Sequence, residues 1–169
     1  MSGPNGGAKK HLVSLYVANN PGVIPRVAQV FARRGFNIDS MVGSEGHDPA
    51  FSHINIVASG DEKTLEQILK QLARLVDVVH ARDATGQDVI QRELALIKVR
   101  CPAAKRAEVL DIAHTFRCHV VDLTESTLTV QVTGKTEKVD ALHRLLTTHG
   151  IIEMVRTGKV LMARGEEIT

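Results

Sequence analysis

Asn19-Asn20-Pro21-Gly22-Val23-Ile24-Pro25-Arg26-Val27, followed one helix length later by Gly35-Phe36-Asn37-Ile38-Asp39-Ser40, is the stretch that decides the fold. It reads as a strand end, a turn, a helix and a return strand. Val23, Val27, Val30 and Phe31 recur at offsets of four, seven and eight, which places them on one helical face. Gly35 supplies a left-handed cap that stops the helix, and Arg33 and Arg34 suit the negative end of its dipole. At the other end, Gly22 lacks a Cβ where the first backbone N–H groups are still unpaired, so a small anion can approach closely. The helix start is therefore a candidate carboxylate site. Pro25 fits a helix beginning at about Gly22, because a first-turn proline gives up an N–H that had no intrahelical partner.

Before this helix, Val13, Leu15 and Val17 alternate with Ser14 and Tyr16, predicting a strand from about Leu12 to Ala18. After it, a strand from near Phe36 runs into a loop, Gly43-Ser44-Glu45-Gly46-His47-Asp48-Pro49, marked by glycine and proline. A third strand spans about Phe51 to Ala58. Ser59-Gly60-Asp61 then opens a helix that buries Leu65, Ile68, Leu69, Leu72 and Leu75, and a strand from about Val76 to Arg82 closes the unit. This order, βαββαβ, gives an antiparallel sheet with both helices on one face.

After the polar link Ala84-Thr85-Gly86-Gln87-Asp88 the same order returns. Leu94 to Arg100 reads as a strand, Val109, Ile112, Ala113 and Phe116 as a helical stripe, and His119 to Leu123 and Thr127 to Val132 as two strands. A second helix carries Val139, Leu142, Leu145 and Leu146, and Ile151 to Met162 is extended except at Gly158. The expected organisation is a disordered polar tail (1–10), a first unit (11–84), a linker (85–90) and a second unit (91–169). Each unit leaves one sheet face and its edge strands uncovered, which a twofold dimer would cover economically.

Composition narrows the function classes. With 169 residues and 43% hydrophobic content, the chain can build one ordinary domain or two small ones. A net charge of +2 and 3% aromatics argue against a nucleic-acid partner. No apolar run reaches the roughly 18 residues of a membrane span, and Met1 to Lys10 lacks a signal-peptide core, so neither membrane nor export is expected and the cytoplasm is the default. Cys101 and Cys118 form no CxxC pattern and are expected to stay reduced. Ser44, Glu45, His47, Asp48 and His53 include the residue types of a hydrolytic triad but sit on no nucleophile elbow, so no catalytic residue is assigned. The eight histidines form no HxxxH or Cys/His cluster, so no metal site is assigned either.

The first unit resembles the ACT domain, a small module that binds amino acids, and the whole chain resembles the small regulatory subunit of acetolactate synthase (acetohydroxyacid synthase). The matching pieces include Asn19 to Val27, Phe31 to Ile38, Asp48-Pro49, Leu65 to Ile68, Lys70-Gln71-Leu72, Arg92 to Val99, Phe116-Arg117, Leu128-Thr129-Val130 and Arg156-Thr157-Gly158, in order across about residues 11 to 165. The resemblance implies an α+β chain of two tandem ferredoxin-like units, an ACT domain and an ACT-like C-terminal domain. It also implies a non-catalytic subunit that activates a catalytic large subunit and confers feedback inhibition by valine, or by leucine or isoleucine, in branched-chain amino acid biosynthesis. Thiamine diphosphate, FAD and magnesium would belong to that partner, and no cofactor to this chain. Pairing of the ACT domains as a homodimer is implied as well. Val42-Gly43-Ser44 and Phe51-Ser52-His53 depart from the family pattern, which usually has arginine where His53 stands.

An amino-acid ligand needs partners for a carboxylate, an ammonium group and a side chain. Backbone N–H groups at Gly22, Val23 and Ile24 can hold the carboxylate, at about 1.5–3 kcal/mol per charge-assisted hydrogen bond. Asn19 and Asn37 offer carbonyls to the ammonium, and Val23, Ile24 and Ile38 offer apolar contact. By resemblance, Asn19, Gly22 and Asn37 match effector-binding positions, with the pocket shared between one subunit's helix start and its partner's second strand. On backbone grounds alone, Asn-Asn-Pro-Gly is also an ordinary turn. A stand-alone amino-acid sensor controlling another enzyme or transcription is the alternative, although no helix-turn-helix or basic arm is evident.

Overall fold

The central strand of the first sheet, β1 (Lys9–Ala18), carries Val13, Leu15 and Val17 on its inner face and is almost wholly buried from His11 onward. The computed structural model describes residues 9–169; most of the expected 1–10 tail lies outside the described residues, while Lys9 and Lys10 already belong to β1. The strand is followed by α1 (Val23–Ala32), β2 (Asn37–Glu45), β3 (Phe51–Gly60), α2 (Glu62–Leu72) and β4 (Val78–Asp83). The sheet order is β2-β3-β1-β4 and every pairing is antiparallel, the arrangement expected for βαββαβ.

The helices pack on one face because their apolar stripes meet the inward residues of the strands. From α1 come Val23, Val27, Val30 and Phe31, all buried, and from α2 Leu65, Ile68 and Leu72. They join Val13, Leu15, Val17, Ile54, Ile56 and Ala58 in one core, where each fully buried side chain contributes about 1.5–3 kcal/mol. Asp61 caps α2 by accepting from the Thr64 N–H at 2.9 Å, with Glu62 in the first turn and Lys70 in the last to match the dipole. Hydrogen bonding from the Thr64 side chain, and then from its backbone N–H, holds the Asp61 carboxyl below its usual range.

Several expected boundaries move. Helix α1 ends at Ala32, so Arg33 is its C-cap and Arg34 lies beyond it, bonded to Gln67 of α2. The chain then turns through Gly35 at φ +69°, and the Phe36 N–H returns to the Phe31 carbonyl at 3.1 Å. Gly43, Ser44 and Glu45, expected in a loop, complete β2, because β3 folds back beside them and pairs with each. Leu75 packs on the core from beyond the end of α2, and Val76 is exposed rather than part of β4.

The second unit repeats the order with β5 (Ile90–Arg100), a 3-10 turn (Ala103–Lys105), α3 (Arg106–Thr115), β6 (His119–Leu123), β7 (Thr127–Gly134), α4 (Thr136–Thr147) and β8 (Ile151–Arg156). Its strand order is β6-β7-β5-β8, again antiparallel. Ala95, Ile97 and Val99 meet Val109, Ala113, Val139, Leu142 and Leu146 in a separate core. Leu145, expected in that stripe, is exposed, because Leu142 and Leu146 already occupy the inward face of α4. Cys101 and Cys118 are free thiols; burial pushes the Cys118 thiol up, against a smaller opposing effect of Lys138.

The compact units divide the chain's end differently from the expected 91–169 unit. The second compact unit is Gln91–Gly158, while Lys159–Thr169, including β9 (Val160–Met162), groups with the first. The chain turns at Gly158, φ +88°. Within the first unit, Leu161 packs on Leu12, Val57 and Ala84, and Arg164 bonds Asp88 at 3.0 Å. Part of the sheet face expected to need a partner is thus covered by Leu161 of the chain's last residues. The 85–90 link is likewise short: Ala84 is buried before it and β5 already begins at Ile90. No helix among the described residues is long and apolar enough to cross a membrane.

Candidate functional site

The first helix start lies beside the ends of two strands, and the register says why. Ala18 pairs with Phe51 and Val17 with Ser52 across β1 and β3, while Ser52 also pairs with Glu45 across β3 and β2. The ends of β1 and β2 and the beginning of β3 therefore meet in one cross-strand row. Between that row and α1 lies a cleft of about 230 Å³. Val17, Val23, Ile24 and Ile54 give it an apolar wall, and Asn19, Asn20, Ser44, Glu45 and Ser52 a polar rim. Gly43 keeps one side low, since a Cβ there would stand 3.7 Å from the Ile24 Cδ1.

Gly22 caps α1 in the left-handed conformation, φ +84° and ψ 0°, and uses no side chain to satisfy the first amides. A residue with a Cβ would be strained there although nothing lies within 4 Å of the added atom. The Val23 N–H makes a long bond of 3.4 Å to the Asn20 carbonyl, and the Gly22 carbonyl accepts from Arg26 at 3.3 Å. The N–H groups of Gly22 and Ile24 have no backbone partner among the described residues. Of the three amides expected to be available, two remain so. Pro25 occupies the first turn as expected.

The turn is clamped from below. Asp77, whose side chain is 9% exposed, accepts from Asn20 Nδ2 at 3.0 Å and Arg26 Nη2 at 2.5 Å, and its carbonyl accepts from the Ala18 N–H at 2.7 Å. Turn and helix are tied to one buried carboxylate just before β4, and the strand end to the backbone carbonyl of the same residue. Asn19 is fixed on the other side, its Nδ2 donating to the Pro49 carbonyl at 3.0 Å and toward Glu45 Oε2 at 3.4 Å.

Asn19, Val23 and Ile24 are brought together at this cleft, with Gly22 at the adjoining helix cap. Asn37 and Ile38 are not. They begin β2, opposite Ser59 and Ala58, whereas the cleft lies at the strand's other end. Asn37 Nδ2 donates to Asp39 Oδ1 at 2.7 Å, and Ile38 packs against the first unit's core. Sequence reading missed Val17, Ala18, Asn20 and Ile54 as cleft residues, noted Gly43, Ser44 and Ser52 only within departures from the family pattern, and weighed Ser44 and Glu45 for hydrolysis. The available signal was pairing: a hairpin closing at Gly46–Ala50 returns β3 past the end of β1. Two of the other hydrolytic-type residues have local contacts, Asp48 accepting from the Ala50 N–H at 2.9 Å and the His53 ring lying 4.9 Å from the Tyr16 ring. Burial lowers the His53 pKa, and the nearby His80 lowers it further.

Known proteins match both halves. A family model for the small subunit of acetolactate synthase matches residues 92–165, and one for the AHAS small subunit-like ACT domain matches residues 13–80. A probable acetolactate synthase small subunit of Methanothermobacter thermautotrophicus is 43% identical over 156 residues, covering 92% of this chain and 93% of that protein. The acetolactate synthase small subunit of Mycobacterium leprae is 41% identical over 159 residues, covering 94% of each. The crystal structure of the acetolactate synthase small subunit from Thermotoga maritima superposes with a TM-score of 0.83 at 39% identity, covering 94% of this chain and 99% of that one.

Proposed function

This chain belongs to the acetolactate synthase small subunit family, and on that premise we propose that it is a regulatory subunit that binds valine at the start of α1 and transmits feedback inhibition to a catalytic large subunit, which it also activates. The observation that carries the reading is the cleft itself. It combines an apolar wall of a size for an aliphatic side chain, two unpaired amides at a helix N-terminus and acceptor groups on its rim. The chemistry of condensation, with thiamine diphosphate, FAD and magnesium, is assigned to the large subunit, and this chain acts in the cytoplasm as a non-catalytic partner. Leucine and isoleucine compete for the same cleft with different fits.

A homodimer completes the site in this proposal. Strand β2 is at the edge of its sheet, and two copies can pair β2 with β2 antiparallel about a twofold axis. With Met41 at the axis, Asn37 of one copy comes opposite Glu45 of the other, and Ile38 opposite Ser44. That register supplies the two residues the single chain leaves away from its cleft. Regulation then requires that valine bind one arrangement of the dimer more tightly than another, and a coupling of about 1–3 kcal/mol gives a 5- to 150-fold effect.

Calorimetry with valine, leucine and isoleucine on wild type and Gly22→Asp tests the site. The variant's carboxylate at the helix cap repels the ligand's own, so binding by wild type and strong loss in Gly22→Asp are expected. Equal affinity in the two proteins would remove the pocket from this position. Co-purification with the catalytic large subunit tests the partner, and persistent failure to associate counts against it.

A further inference from the structure

Glu45 ends β2 and is placed by the backbone. Its pairing with Ser52, itself opposite Val17, sets its carboxylate beside the end of β1 on the rim of the cleft. There Oε2 lies 3.4 Å from Asn19 Nδ2, whose other bond goes to the Pro49 carbonyl. Both contacts use the nitrogen of the Asn19 amide, so Oδ1 has no hydrogen-bond partner among the described residues. No lysine, arginine or histidine pairs with Glu45 among the described residues. One rim of the cleft thus carries a carboxylate with no cationic partner and an amide whose oxygen is free of hydrogen bonds, while its helix end presents unpaired N–H groups. The two ends are of opposite polarity, with an apolar wall between them.

Resting on the proposed amino-acid site, we infer that Glu45 is the residue that recognises the ligand's ammonium group, with Asn19 Oδ1 beside it, so that the cleft selects an α-amino acid over the 2-oxo acid of the same carbon skeleton. The two molecules share a carboxylate and a side chain, so neither the helix start nor the apolar wall distinguishes them. Only a group that reads the amine can. A carboxylate does so twice, attracting the ammonium and opposing the oxygen lone pairs of a ketone. A feedback site needs this discrimination, because inhibition by a 2-oxo acid that differs from the amino acid by one transamination would respond to the wrong compound.

The test is calorimetry of the full chain with valine and with 3-methyl-2-oxobutanoate, in wild type, Glu45→Gln and Glu45→Asp. Wild type is expected to prefer valine. Glu45→Gln should lose about fivefold in valine affinity, about 1 kcal/mol for an ion pair at an exposed rim, with affinity for the oxo acid unchanged or raised. Glu45→Asp should fall between the two. Circular dichroism should be unaltered, since the side chain is exposed and packs in no core. Equal valine affinity in wild type and Glu45→Gln, or equal loss for both ligands, overturns the role of Glu45 and leaves the amino-acid site standing. If wild type binds no branched-chain amino acid at all, the site and this role fall together.

Discussion

Replacing Asp77 tests how the site is held. Its side chain accepts from Asn20 and Arg26, two residues on either side of Gly22, and is almost fully buried. Asp77→Ala removes a hydrogen bond from a neutral amide to a charged acceptor, about 1.5–3 kcal/mol. It also removes an ion pair whose arginine side chain is 49% exposed, so solvent takes over most of that interaction and it adds no more than about 1 kcal/mol. The expected cost is about 2–3 kcal/mol, or about 10–20 °C in the melting temperature of a unit of this size. Asp77→Asn keeps an acceptor for Asn20 and loses only the charge, so it should cost about 1 kcal/mol. Urea and thermal denaturation followed by circular dichroism measure both. Because Asn20 also lines the cleft, valine affinity should fall in the same order, with alanine worse than asparagine. An alanine variant within about 0.5 kcal/mol of wild type would refute the clamp. An asparagine variant as damaged as the alanine one would show that charge, not hydrogen bonding, carries it.

Two further outcomes concern buried and titrating groups. In the second unit, Glu93, whose side chain is 4% exposed, is held by Arg156, which also bonds Asp140 at 2.7 Å. Burial opposes the charge on Arg156, but its hydrogen bonds to Glu93 and Asp140 outweigh it and keep the guanidinium protonated above its usual range. Arg156→Met strands the Glu93 carboxylate and should cost about 3–5 kcal/mol in urea denaturation. Adding Glu93→Leu should recover much of that loss, and no recovery would show that the pair acts otherwise. For His53, burial and then His80 lower the folded-state pKa below 6.5, so the unfolded chain binds more protons in that window. Stability from this group is complete above pH 6.5 and declines as pH falls through that value toward the folded pKa. The urea midpoint between pH 8 and 5 should drop less steeply in His53→Gln than in wild type, and parallel profiles would exclude the assignment.

What could be read from the chain alone was set by local rules. The spacing of Val23, Val27, Val30 and Phe31 requires a helix whose apolar face is buried, and that face is buried. Gly35 marks a left-handed position just past its C-terminal end and adopts it. Periodicity also showed the repeat of βαββαβ, because each element announces itself within a few residues. The unpaired amides of Gly22 and Ile24 belong to the same class, since they follow from helix geometry wherever the helix begins.

Tertiary structure decided what depends on pairing between distant segments. Which residues share the cleft with Asn19 and Ile24 was fixed by the register of β1, β2 and β3, and a shift of one residue would have turned Glu45 and Val17 to other faces. That register brings Glu45 to the rim and leaves Asn37 at the far end of its strand, a distinction that no periodicity in residues 37–45 carries. The attachment of Lys159–Thr169 to the first unit likewise rests on Leu161 meeting Leu12, Val57 and Ala84, far apart in sequence. Local pattern specifies which faces are apolar; only the closed sheet specifies which distant residues meet across them.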